Sequence, residues 1–252
     1  MDEKIQRIMP RFRYGNIIPR GGGRVHRGPG YQFYRLVPSD IIEISTVLGL
    51  TEYAVEAVER AIENYWQCME LLVREKADVI ILGGVPISAQ LGRSRVLQLI
   101  KETKERFATT VDAPLESVLS GMKHLRLETV AIGSRWGKET NRAVTRYLEE
   151  AGVKVSAVTD RGQGAQEAAA MSFEEGLQTA LEVGREAARL APAAEAIFVP
   201  GGAAMSLHVI PAIEEEFGKT TFTNLSAEVW NNLVRPGVIA PIQDWGKLLA
   251  TP

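Results

Sequence analysis

Two loops in this chain carry residue types that could do chemistry. In the first, Gly83-Gly84 follows the apolar run Val79-Ile80-Ile81-Leu82 and precedes Val85-Pro86-Ile87-Ser88. In the second, Gly201-Gly202 follows Ile197-Phe198-Val199-Pro200 and precedes Ala203-Ala204-Met205-Ser206. Glycine after a buried strand lets the backbone approach a ligand closely. A helix starting there turns its free N–H groups and positive dipole end toward the same point. Each loop is thus a candidate anion cradle, with Gly84, Val85, Gly201 and Gly202 as its backbone donors. Either loop alone could be no more than a tight strand-to-helix turn. The matched pair favours a site, and a small carboxylate or dicarboxylate is its natural guest.

Several side chains lie close in sequence to these loops. Ser88 and Ser206 could donate to a carboxylate or cap a helix. His208 could serve as acid or base near neutral pH, or be a solvated helix residue. Pro19 and Arg20 end a strand and lead into the glycine-rich segment Arg20 to Gly30, which reads as neither helix nor central strand. Its Arg20, Arg24, His26 and Arg27 could close over an anionic substrate, arginine being suited to bidentate carboxylate binding; a subunit contact is the alternative. Asn224, just after Thr220-Thr221-Phe222-Thr223, is another substrate-binding candidate. The one cysteine, Cys68, lies mid-helix and reads as a small core residue. Histidines are scattered and no carboxylate-rich ligand spacing occurs, so no metal and no cofactor are expected.

These loops need strands and helices to hold them. Short β-branched runs occur at Gly15 to Pro19, Ile41 to Val47, Val79 to Leu82, Thr109 to Val111, Thr129 to Gly133, Val153 to Val158, Ala196 to Val199 and Thr220 to Phe222. Runs such as Val79 to Leu82 do not alternate with polar residues, which marks strands buried on both faces. Helical patterns lie between them at Glu52 to Arg74, Gly137 to Ala151, Phe173 to Leu190 and Leu207 to Phe217. The order strand, Gly-Gly, helix, Thr-Thr strand, helix occurs twice, with Val79-Gly84 set against Ile197-Gly202. The expected fold is therefore α/β, with two pseudosymmetric Rossmann-like halves, each a mostly parallel sheet flanked by helices. The first half takes residues 1–112 plus 226–252 and the second 113–225, with the site between them.

At these residues the chain resembles the aspartate/glutamate racemase superfamily, in the branch of arylmalonate decarboxylase and maleate cis-trans isomerase. The resemblance runs from Gly15-Asn16-Ile17-Ile18-Pro19 to Trp230. It is carried by Ala77 to Gly84, by Val130-Ala131-Ile132-Gly133-Ser134-Arg135-Trp136 before Asn141, by Ala196 to Met205, and by Ile210 to Glu214. It implies two half-sites that in the racemases each supply a cysteine. In the decarboxylase only the second cysteine remains, and the first loop becomes an oxyanion cradle. Here both cysteine positions are replaced, the first falling at Gly84-Val85-Pro86 and the second at Gly201. Trp136 falls where the decarboxylase lines its pocket with a tyrosine; ordinary core is its other reading. The resemblance implies a cofactor-independent lyase or isomerase on a small carboxylic or dicarboxylic acid, decarboxylation preferred, without thiol catalysis. Hydrolysis of a small amide, imide or lactone, and carboxylate binding without catalysis, are the alternatives.

The 252 residues are 45% hydrophobic and 24% charged, with a net charge of −2. No basic excess points to nucleic acid, and no apolar run reaches the roughly 20 residues of a membrane span. One cysteine and no secretory signal pattern suit a cytoplasmic protein. The expected partner is a small anionic substrate; a homo-oligomer is left open.

Overall fold

The structure, a computed structural model, describes residues 9–20 and 29–252. Eight strands form two four-stranded sheets, all pairings parallel. The strands are β1 (Phe12–Ile18), β2 (Ile41–Val47), β3 (Val79–Leu82), β4 (Thr110–Asp112), β5 (Thr129–Ile132), β6 (Lys154–Val158), β7 (Ala196–Phe198) and β8 (Thr220–Phe222). Their orders are β2-β1-β3-β4 and β6-β5-β7-β8. The second sheet thus repeats the topology of the first, as the duplicated sequence pattern implies.

Helices connect the strands: α1 (Pro29–Phe33), α2 (Val55–Ile62), α3 (Tyr65–Arg74), α4 (Val85–Leu91), α5 (Arg93–Phe107), α6 (Pro114–His124), α7 (Lys138–Glu149), α8 (Ala165–Ala170), α9 (Phe173–Leu190), α10 (Ile210–Phe217) and α11 (Asn224–Val229). Three expectations need correction. The single helix expected over Glu52 to Arg74 is two, α2 and α3. The Asn64 side chain turns to the Leu48 carbonyl at the junction, and Asn64 N–H bonds back only three residues, to Ala61. The helix expected from Leu207 begins as tight 3-10 turns, Gly202–Ala204 and Ser206–Val209, and becomes α-helical at Ile210. Pro211 suits a first turn, where its missing N–H costs nothing. Pro29-Gly30, expected in a loop, open α1. Arg24, His26 and Arg27 lie outside the described residues.

Three clusters of buried side chains fill the molecule. The largest joins both halves, bringing Tyr14, Ile81 and Trp230 together with Val118, Val130, Phe198 and Phe222. The second holds only first-half residues, and the third only second-half residues. Each sheet therefore has one face toward the other half and one toward its own helices.

That division corrects the alignment of the repeat. Val79 and Ile81 face the shared core, whereas Ile80 and Leu82 face away. In the second half Ala196 and Phe198 face the shared core, whereas Ile197 and Val199 face away. Strand side chains alternate faces, so Val79 is equivalent to Ala196, one residue away from the match to Ile197 that sequence suggests. Gly84 is then equivalent to Gly201, and Gly83 to Pro200. The backbone agrees: Gly84 has φ 100° and ψ 106°, and Gly201 has φ 100° and ψ 93°. Ser88 therefore corresponds to Met205 and not to Ser206.

Candidate active site

Gly84 and Gly201 each follow a central strand and cap the turn behind it. Both backbones adopt a conformation that only glycine enters without strain. What faces each glycine comes from the neighbouring strand. Tyr14 pairs with Val79 and Val130 with Ala196, so Pro19, after β1, is the counterpart of Arg135, after β5. A Cβ added at Gly84 would lie 2.5 Å from Pro19 Cγ. A Cβ added at Gly201 would have nothing closer than 3.6 Å, the distance to Arg135 Nε, Arg135 Nη2 and Trp136 Cζ2 alike. The first glycine thus faces an apolar ring at colliding distance, and the second faces a guanidinium at ordinary contact distance.

A buried polar network holds the turn that presents Arg135 and Trp136. The Ser134 hydroxyl donates to Asn141 Oδ1 at 2.6 Å and accepts from Trp136 N–H. Asn141 Nδ2 donates to the carbonyls of Trp136 and Thr159, and the Thr159 hydroxyl donates to the Ser134 carbonyl. Such a network fixes one backbone path because each group would be left unpaired in any other. Asn141→Ala strands three partners at once. It should cost about 3 kcal/mol, read as a lower midpoint in urea unfolding.

The second loop is tied down as well. Gly201 N–H donates to Asn224 Oδ1 at 3.0 Å, and Asn224 Nδ2 donates to Glu228 Oε1 at 3.1 Å. Gly201 N–H is therefore committed within the protein, which corrects its expected place as a free oxyanion donor. Asn224, expected to touch substrate, instead bridges this loop to Glu228. Gln32, fully buried on α1, donates to the Gly202 carbonyl and accepts from Leu207 N–H, reaching from the first half into the second. Sequence reasoning missed Gln32, Arg135 and Glu228, because none is near the Gly-Gly loops in the chain except through strand pairing.

Glu228 is 4% exposed. Burial, with the nearby Asp112 and Glu43 carboxylates, pushes its carboxyl up to about 8. Glu43 is raised too, by burial, while Asn16 Nδ2 donates to it. Asp112 Oδ2 accepts from Ser117, Asn231 and Asn232, joining β4 to the π-turn Trp230–Val234. The Tyr14 hydroxyl is buried beside these acids with no hydrogen-bond partner among the described residues, and burial raises its titration well above normal.

The remaining sequence candidates fall as follows. Ser88 is fully buried on α4 and its hydroxyl is unpaired, so it does not cap the helix. Ser206 opens a 3-10 turn and does not cap it either. His208 is half-buried: its ring stacks on Tyr31 at 6.0 Å and meets Trp245 edge-on at 5.5 Å. Burial, aided by Arg35, lowers its titration, so the ring is neutral at pH 7. Trp136 is both core and wall, buried with its Nε1 unpaired and its edge toward Gly201. Arg20, after β1, has a buried unpaired Nη1. Cys68 sits in the first-half cluster against Thr46 and Val47, and burial raises its thiol. Among the described residues no group of histidine, cysteine or acidic side chains could hold a metal ion. None of their helices is long and apolar enough to cross a membrane.

Residues 15–249 match the model of the arylmalonate decarboxylase family. The chain belongs to that family. It is 24% identical over 217 residues to arylmalonate decarboxylase of Bordetella bronchiseptica, covering 86% of this chain and 87% of that one. A liganded variant of arylmalonate decarboxylase superposes with a TM-score of 0.84 at 22% identity, over 94% of this chain and 98% of the other. A maleate cis-trans isomerase of Nocardia farcinica, carrying a covalently bound succinylcysteine intermediate, superposes with a TM-score of 0.82 at 17% identity, over 95% and 98%. The structural likenesses establish the shared two-sheet fold, and the family match makes the chain an enzyme of the arylmalonate decarboxylase family.

Proposed function

We propose that this enzyme decarboxylates a small arylmalonate-like diacid without a cofactor and without thiol chemistry. The family match over residues 15–249 supports the reaction class. The observation that carries the thiol-free reading is the placement of the only thiol. Cys68 packs in a cluster of first-half residues alone, while the paired loops present Gly84 and Gly201. A succinylcysteine such as that on the Nocardia farcinica isomerase needs a thiol that neither loop offers.

In the proposed reaction the bond from the α-carbon to one carboxylate breaks and carbon dioxide leaves. The electron pair stays on the α-carbon and spreads into the retained carboxylate as an enediolate. The α-carbon then takes up a proton. Hydrogen-bond donors fixed before the reaction stabilise the enediolate most, because they need no reorganisation as charge develops. A departing carboxylate that meets no hydrogen-bond donor is destabilised, which favours its loss as neutral carbon dioxide.

Purified protein incubated with phenylmalonate should release carbon dioxide and form phenylacetate, with deuterium at the α-carbon in heavy water. Maleate isomerised to fumarate, or opening of a cyclic imide, in place of carbon dioxide release would overturn this reading. So would binding without turnover.

A further inference from the structure

We propose that Arg135 is the carboxylate-binding residue of the site and holds the retained carboxylate of the substrate in front of Gly201. This deepens the reading of the substrate as a carboxylic acid and rests on it.

Arg135 is 3% exposed, and its Nε and Nη1 are buried with no hydrogen-bond partner among the described residues. The Trp136 ring lies 5.7 Å from its guanidinium carbon. A buried charge without a partner is costly, and proteins keep one where a ligand supplies the counter-charge. The Nε–Nη2 edge of the guanidinium faces Gly201, with both nitrogens 3.6 Å from the point a Cβ would occupy. That edge is the one that grips a carboxylate with two parallel hydrogen bonds.

The rest of the site fits this direction. Gly201 N–H is already held by Asn224, so that donor is taken and the guanidinium supplies the positive end. The equivalent position in the first half is Pro19, whose ring fills the space at Gly84. A substrate with one charged and one apolar end therefore has one orientation, carboxylate to Gly201 and apolar group toward Pro19 and Val85. The network of Ser134, Asn141 and Thr159 keeps the Arg135 turn in place before the ligand arrives.

Titration calorimetry of the full chain with phenylacetate and phenylacetamide tests this, because the two differ only in the charged group. The wild type should bind the acid on the order of 100-fold more tightly than the amide. Arg135→Met should bind the acid no better than the amide. Arg135→Lys should recover part of the preference, having the charge without the fork. Without ligand, the thermal midpoint of Arg135→Met should equal or exceed that of the wild type, because a buried unpaired charge has been removed. Equal binding of acid and amide by the wild type would overturn the inference, as would retained acid preference in Arg135→Met. A lower midpoint of that variant without ligand would also overturn it, by assigning Arg135 to the fold. Acid binding that depends on Arg135, with no carbon dioxide released from phenylmalonate, would defeat only the decarboxylase reading.

Discussion

Gly84→Ala should destabilise the protein by about 3 kcal/mol or more, whereas Gly201→Ala should cost about 1–2 kcal/mol. Both glycines have φ near 100°, so each alanine pays for a strained backbone. Only at Gly84 does the new methyl group also collide, 2.5 Å from Pro19 Cγ, a ring that cannot swing away. At Gly201 the nearest atoms are at ordinary contact distance. Urea unfolding of the two variants beside the wild type checks the difference. Equal losses would mean that Pro19 does not crowd Gly84 more than Arg135 and Trp136 crowd Gly201.

The second large effect concerns pH. In an unfolded chain Glu228 titrates at the ordinary glutamate value of about 4.3, and in the fold at about 8. Between those values the folded state holds a proton that the unfolded state has released. Stability must then fall as pH rises through this window, and the penalty is complete above pH 8. Its size is about 5 kcal/mol. Glu43, also raised, acts in the same direction. Glu228→Gln keeps an acceptor for Asn224 and removes the titration. It should therefore be more stable than the wild type at pH 8.5, with the two converging near pH 4.5. Chemical unfolding across that range is the measurement. Parallel curves for the two proteins would show that Glu228 is ionised in the fold and that the acids around Tyr14 are arranged differently.

Much of the scaffold is legible in the chain's apolar patterning. Val79 to Leu82 and Ile41 to Val47 read as strands at their observed limits, because β-branched residues bounded by turn residues leave little choice. The repeated order of elements implies two like halves, and the sheets repeat one topology. The register between the halves is not legible. Both alignments of the Gly-Gly pairs look alike in one dimension, and only the faces on which Val79 and Ala196 lie distinguish them. The helix break at Asn64 is hidden for a similar reason, since the periodicity of Glu52 to Arg74 continues through it. What stops the helix is a hydrogen bond to Leu48, in another part of the chain.

The Gly-Gly loops are a sequence signal for anion binding, and the tertiary structure changes which of their donors are free. Gly201 N–H is occupied by Asn224, and Ser88 and Ser206 are not equivalent. The charge in the site comes from Arg135. In the sequence Arg135 is one arginine among many, distant from Gly201. It becomes a candidate only when β5 and β7 pair and set its guanidinium against that glycine.

By itself the sequence determined the class of fold, the duplication and the family, because these depend on apolar periodicity and on patterns spread over the whole chain. It also determined that no thiol stands at either glycine. The tertiary structure alone decided which glycine matches which, which N–H groups are free and where a buried charge lacks a partner. Those properties belong to pairs of residues brought together by strand pairing and burial, and no local spacing encodes them.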